Sequence, residues 1–211
     1  MNRRTLGRLA ALLLATTLGA GAWPLAHASD EAPDAMIRRT SDEVLSQLKA
    51  DKSIQGGDIN KVMALVDAKI MPNVNFQRMT ASAVGPAWRQ ATPEQQKKLQ
   101  DEFKTLLVRT YAGALTQVAD EVINVKPLRA AATDTEVVVR TEVRGRGEPI
   151  QLDYRLEKTP TGWKIFNLNV LGVWLVETYR SQFAQEINAK GIDGLIAALS
   201  ERNKTNASRK G

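Results

Sequence analysis

Apolar positions recur at helical spacing up to residue 118, alternate from residue 122 to 170, and return to helical spacing after residue 172. Residues 29–34 are polar and predicted to fray. Ile37, Val44, Leu45 and Leu48 then share one face of a helix over 35–52, and Gly56-Gly57 breaks it. Asp58 can cap a second helix, in which Ile59, Val62, Met63, Val66 and Ile70 line up before Pro72. A short helix over Phe76, Met79 and Val84 gives way at Gly85-Pro86. Thr92-Pro93-Glu94-Gln95 is a strong helix start: Thr92 as cap, Pro93 in the first turn, Gln95 closing a capping box. The long helix that follows carries Leu99, Phe103, Leu106, Leu107, Tyr111, Leu115 and Val118 on one side.

The alternating region predicts strands at 122–128 and 135–144, a turn at Gly145-Arg146-Gly147, and a strand in which Ile150, Leu152, Tyr154 and Leu156 alternate with Gln151, Asp153, Arg155 and Glu157. The second set is expected to stay wet. After a turn at 159–162, Trp163 and Ile165 are in one phase and Phe166, Leu168 and Val170 in the other, a slip that predicts a β-bulge near Ile165. A sharp corner at Gly172 leads into a helix with Leu175, Tyr179, Phe183 and Ile187 on one face. Gly191 suits its C′ position, and a shorter helix capped by Asp193 carries Leu195, Ile196 and Leu199. Four strands on short turns form an antiparallel sheet whose apolar face the helices must cover, so the fold class is α+β.

Residues 1–28 change that picture only by preceding it. Arg3, Arg4 and Arg8, an apolar run to about Trp23, and Ala26-His27-Ala28 predict a secretory signal cleaved after Ala28. Arg3-Arg4 also raises twin-arginine export, but Thr-Leu-Gly follows where that motif continues with a bulky apolar pair and lysine. Residues 29–203 are then one domain and 204–211 a polar, basic tail. The formal charge of +6 includes the three leader arginines, so the remainder carries only a mild excess.

The chemistry the chain can perform is narrow. It has no cysteine, hence no disulfide framework and no lipobox, and its single histidine, His27, lies in the leader. Triads built on histidine or cysteine, and zinc held by nitrogen and sulfur, are excluded for residues 29–211. No paired carboxylate spacing and no glycine-rich phosphate loop is present. Whether the apolar faces close into a core or leave room for a ligand is open at the level of periodicity.

Gly172-Val173, Tyr179-Arg180-Ser181-Gln182-Phe183 and Lys190-Gly191-Ile192-Asp193-Gly194-Leu195 resemble the C-terminal signature of the MlaC family, also known as toluene-tolerance proteins. Gly85, Trp88, Arg89, Thr92, Phe103 and Tyr111, between Phe76 and Leu115, match the same pattern. Leu99 departs from it where an aromatic is frequent, and Asn75 where aspartate is. The resemblance implies a cystatin-like, nuclear-transport-factor-type roll around an apolar cavity. It further implies a periplasmic protein, with no cofactor and no catalysis. Such a protein shuttles phospholipid between an outer-membrane lipoprotein complex of the MlaA type and the MlaD-like periplasmic domain of an inner-membrane ABC transporter, and so maintains outer-membrane lipid asymmetry.

Wall residues for such a cavity follow from the elements. The helices offer Phe76, Met79, Phe103, Leu107, Tyr111 and Leu115. The strands offer Val139, Leu152, Tyr154 and Leu168, and the corner and last helix Val173, Trp174, Tyr179 and Phe183. Arg180 fits either a phosphate contact or a surface salt bridge. Three other functions remain compatible: an exported hopanoid- or sterol-binding protein, an acid/base enzyme on the same roll, and a plain interaction domain with a closed core.

Overall fold

The structure, a computed structural model, describes residues 31–117, 120–131, 133–145 and 147–208. The leader, Val118, the turn residue Arg146 and tail residues 209–211 lie outside them.

Eight helical segments precede the sheet among the described residues. Helix α1 spans Pro33–Ala50, α2 Lys52–Gln55 and α3 Ile59–Leu65. Asp51 and Asp58 each cap the next helix by accepting from two backbone N–H groups. The chain continues from α3 through a π turn, Val66–Ile70, and a 3-10 turn, Met71–Asn73, where Pro72 intervenes. Helix α4, Phe76–Val84, is capped by Asn75, whose Oδ1 accepts from the Arg78 N–H, so the departure from aspartate leaves the cap intact. Gly85, at φ 73°, opens a 3-10 segment to Gln90. Helix α5, Pro93–Gln117, begins with the expected capping box: the Thr92 N–H donates to Gln95 Oε1 at 3.0 Å and the Gln95 N–H to Thr92 Oγ1 at 3.2 Å.

Strands β1 (Val122–Val125), β2 (Glu136–Arg144), β3 (Ile150–Thr159), β4 (Gly162–Val170) and β5 (Val173–Trp174) form one antiparallel sheet in sequential order. It has one strand more than the predicted four. The Gly172 corner is a two-residue hairpin in which Leu171 (φ 53°) and Gly172 (φ 87°) both take positive φ, and this folds Val173-Trp174 back along β4. β1 is shorter than expected. Lys126 N–H still reaches the Arg140 carbonyl, but Pro127 has no N–H to continue the ladder.

The predicted bulge is present. Leu156 faces Ile165 and Arg155 faces Asn167, so Phe166 is the extra residue. It restores Ile165 and Leu168 to the same, inner side and sends the Phe166 ring outward under the Arg78 guanidinium, 3.6 Å from its centroid. Phe166 therefore does not share Leu168's face, contrary to the phase read from sequence. Asp153, expected on the wet face, is buried, as are Asn167 and Asn169 on the adjacent strand. The β4–β5 hairpin and the start of α6 cover this end of the outer face. Asn169 accepts from Gly172 N–H, and Asn167 bonds both Val176 N–H and Glu177.

Element α6, Leu175–Ser208, is two helical limbs that meet at Gly191, whose backbone (φ 71°, ψ −171°) is not helical, so the break expected there is present; the second limb takes in residues 204–208 of the tail. The Asp193 carboxylate accepts from Gln95 Nε2 at 2.8 Å, tying the second limb to the start of α5.

Candidate functional site: an apolar cavity between sheet and helices

Helix α5 places Leu107, Val108, Tyr111 and Leu115 on the side turned toward the sheet, because these positions fall one helical turn apart. Inner-facing side chains of β3 and β4 (Leu152, Tyr154, Ile165 and Leu168) stand opposite. The two surfaces do not meet. Between them lies a cavity of two adjoining lobes, of about 290 Å³ and about 250 Å³, which share seven wall residues: Ile70, Tyr111, Leu115, Leu152, Tyr154, Ile165 and Leu168. The first lobe extends toward Phe76 and Met79 of α4 and toward Val62, Val66 and Met71. The second extends under α1, to Ile37, Val44 and Leu45, and to Ile123 and Val143 of β1 and β2.

No acidic or basic side chain lines either lobe among the described residues; the polar groups there are the hydroxyls of Thr40, Ser41, Tyr111 and Tyr154. Burial pushes the phenols of Tyr111 and Tyr154 upward in pKa, the Thr141 hydroxyl partly offsetting this for Tyr154. Both rings are thus neutral at physiological pH. An uncharged, aliphatic space with a few hydroxyls suits a flexible apolar ligand and offers no group that could act as general acid or base near neutrality.

Eight of the fourteen wall residues expected from sequence border this space: Phe76, Met79, Leu107, Tyr111, Leu115, Leu152, Tyr154 and Leu168. The other six lie elsewhere. Phe103 is fully buried and packs edge-on against Tyr179 (5.0 Å between centroids) and Phe183 (5.2 Å) in the closed contact of α5 with α6. Val139 is fully buried with Met36, Ile37 and Leu156. Trp174 lies under the Arg155 guanidinium, 4.0 Å from centroid to carbon. Val173 is 51% exposed at the hairpin. Arg180 forms no salt bridge among the described residues; its Nε donates to the Ser82 carbonyl at 2.8 Å, linking α6 to α4.

Sequence reading missed the contributions of α1 (Val44, Leu45), α3 (Val62) and the π turn (Val66, Ile70). Their periodicity was visible, but nothing in it said that their helices overhang the sheet. Ile165 was obscured by the bulge.

Two sets of ion pairs fasten α4 and α6 to strands of the sheet. Arg78 of α4 bonds Glu136 of β2 and Glu157 of β3, and Arg155 of β3 bonds Glu177 of α6. Burial would raise the Glu177 pKa, but bonds from Asn167 and Arg155 outweigh it and hold the carboxyl below its ordinary value.

A mixed roll with its interior left open and uncharged belongs to the class of small apolar-ligand-binding folds. The family is shown directly: the MlaC protein family model matches residues 38–201, and the chain belongs to that family. It is 28% identical over 173 residues to the toluene tolerance protein ttg2D of Pseudomonas putida, covering 82% of this chain and 80% of the relative. Over 177 residues it is 23% identical to the intermembrane phospholipid transport system binding protein MlaC of Haemophilus influenzae, covering 82% and 83%. A phospholipid-binding protein from Ralstonia solanacearum, solved in complex with a phospholipid, superposes with a TM-score of 0.81 at 49% identity, covering 85% of this chain and 99% of that one. No helix among the described residues is long and apolar enough to cross a membrane.

Proposed function

We propose that this protein is a periplasmic carrier of glycerophospholipid, moving it between an outer-membrane lipoprotein complex of the MlaA type and an inner-membrane ABC transporter with an MlaD-like domain. In that role it would help maintain outer-membrane lipid asymmetry, and it would catalyse no reaction. The observation that carries the reading is the uncharged two-lobed cavity, in a chain 49% identical to a protein solved with phospholipid bound. Acyl tails would lie among Phe76, Met79, Leu107, Tyr111, Leu115, Leu152, Tyr154 and Leu168, with the headgroup outside.

The energetics support a shuttle. Two acyl chains carry roughly 30 methylenes, each worth about 0.8 kcal/mol when removed from water, a gross gain on the order of 20 kcal/mol. A membrane already keeps those tails dry, so the exchange from membrane to protein is close to balanced. Loading and unloading are then both feasible, and contacts with donor and acceptor need only be weak.

The test is native mass spectrometry of the protein purified from the periplasm, followed by organic extraction. Diacyl phospholipids at stoichiometric amounts are expected, mixed in headgroup. Recovery of protein free of lipid, or loaded with a hopanoid or sterol, would overturn the reading.

A further inference from the structure

The second limb of α6 packs on α5 first through Leu195 and Leu199 against Leu99, Phe103 and Leu106, and then the contact turns polar. Asn203 is buried, and its amide nitrogen donates to the Glu102 carbonyl at 2.9 Å and to its carboxylate at 2.7 Å. Two atoms along this contact are buried without a hydrogen-bond partner among the described residues: Oδ1 of Asn203 and Nε of Arg109. Nε of Arg109 is closed off by protein while the residue as a whole is half-buried, so a solute reaches Arg109 only through its other atoms.

Arg109 borders a depression of about 590 Å³ whose other polar walls are Thr110, Glu201, Arg202, Thr205 and Asn206. Cations there are under-compensated. Arg109 makes no ion pair among the described residues, and Arg202 donates to the neutral Gln182 at 3.3 Å. Glu201 is the one acidic wall residue. Its side chain is 73% exposed and only loosely paired with Lys204, at 3.9 Å, so it can swing away from an incoming anion. The depression is separate from the cavity: on a helix, Arg109 projects about 100° away from Val108, which lines the first lobe.

We propose that this depression binds a phosphate-class anion. Two guanidiniums, the Thr205 hydroxyl and the Asn206 amide can each donate to it, while the Thr110 hydroxyl is engaged by the Tyr179 phenol. That number of donors matches the several oxygens of a phosphate better than the two of a carboxylate, and guanidinium forks pair with phosphate oxygens in particular. The phosphate is either free in solution or the headgroup of an anionic lipid at a membrane surface, in which case α5 and α6 rest on that surface while the cavity stays independent.

The experiment uses the intact protein in phosphate-free buffer. Inorganic phosphate is titrated while the Arg Nε–Hε resonances are followed by NMR, with chloride at matched ionic strength as control. Phosphate is expected to shift the Arg109 signal, and Arg109→Met to weaken binding at least about tenfold, the loss expected for one charge-assisted hydrogen bond. Arg202→Gln alters an exposed side chain, leaves the fold alone, and is expected to weaken binding comparably. Sedimentation with phosphatidylglycerol but not phosphatidylcholine vesicles, lost in either variant and competed by phosphate, identifies the headgroup as the source. Phosphate binding without sedimentation identifies free phosphate. Shifts equal to those from chloride, or binding unchanged in both variants, overturn the proposal.

Discussion

Helix α5 carries two apolar stripes of similar composition that reach opposite states. Leu99, Phe103 and Leu106 face α6 and are completely buried, Phe103 ringed by Phe76, Tyr179 and Phe183. Leu107, Tyr111 and Leu115, a fraction of a turn round the same helix, line the cavity. The difference lies in the opposing surface. A second helix can close on α5 until side chains interdigitate. The sheet cannot, because α5 rests on α3, α4 and α6, and α4 and α6 are fastened to the sheet by Arg78 and Glu177. The lesson is that an amphipathic pattern specifies a face to be kept from water; the supports around that face decide whether protein or ligand covers it.

The sharpest way to break the comparison is truncation on the closed side. Phe103→Ala removes a ring with no space around it and is expected to cost about 3–5 kcal/mol. Leu115→Ala only enlarges an existing cavity and should cost about 2 kcal/mol. Paired denaturant melts check this, and equal losses would mean that the two stripes are energetically alike.

Charge is the next probe. Leu152→Glu places a carboxylate where both lobes meet. An ionised group among acyl tails is costly, whereas in the unliganded cavity water can enter to solvate it. The variant should fold with a modestly lowered melting temperature and purify with little phospholipid, measured as phosphate per protein. Full lipid content would remove Leu152 from the proposed wall.

Alkaline titration compares the two stripes within one molecule. The chain has three tyrosines, Tyr111 and Tyr154 at the cavity and Tyr179 in the closed contact, and burial raises all three phenol pKa values. A phenol whose folded pKa exceeds its unfolded value, about 10, stabilises the fold fully below that pH and loses the contribution as pH rises through the folded pKa. Melting temperature should thus fall above about pH 10. Phenolate absorbance should appear later than for free tyrosine, and Tyr179→Phe should reduce the slope. A flat profile would contradict the burial of these rings.

The smallest effect is expected at the hairpin. Val173 is half-exposed, so Val173→Glu should change stability by no more than about 0.5 kcal/mol and leave bound lipid in place. A folded, lipid-free Val173→Glu protein would bring this residue back to the wall and show that the hairpin closes over the cargo.

Much of this molecule was determined locally. The Thr92–Gln95 capping box, the Asp58 cap, the break at Gly85 and the bulge between β3 and β4 each depend on a few adjacent residues, and each forms as their spacing requires. The antiparallel order was equally legible, since short turns permit little else. The signature after Gly172 was enough to resemble the family to which the chain belongs.

What only the tertiary structure decided is which apolar residues are walls. Phe103 and Tyr111 have the same helical context and differ in burial because Tyr179 and Phe183, about 80 residues on, stack on one and not the other. The fifth strand likewise required the hairpin at Leu171-Gly172 to turn back rather than onward, and Asp153 became buried only once that hairpin and α6 settled nearby. Periodicity records the demand that a side chain leave water, which is local. Whether another side chain or a cavity receives it depends on distances between elements, and those are set by contacts far apart in the chain.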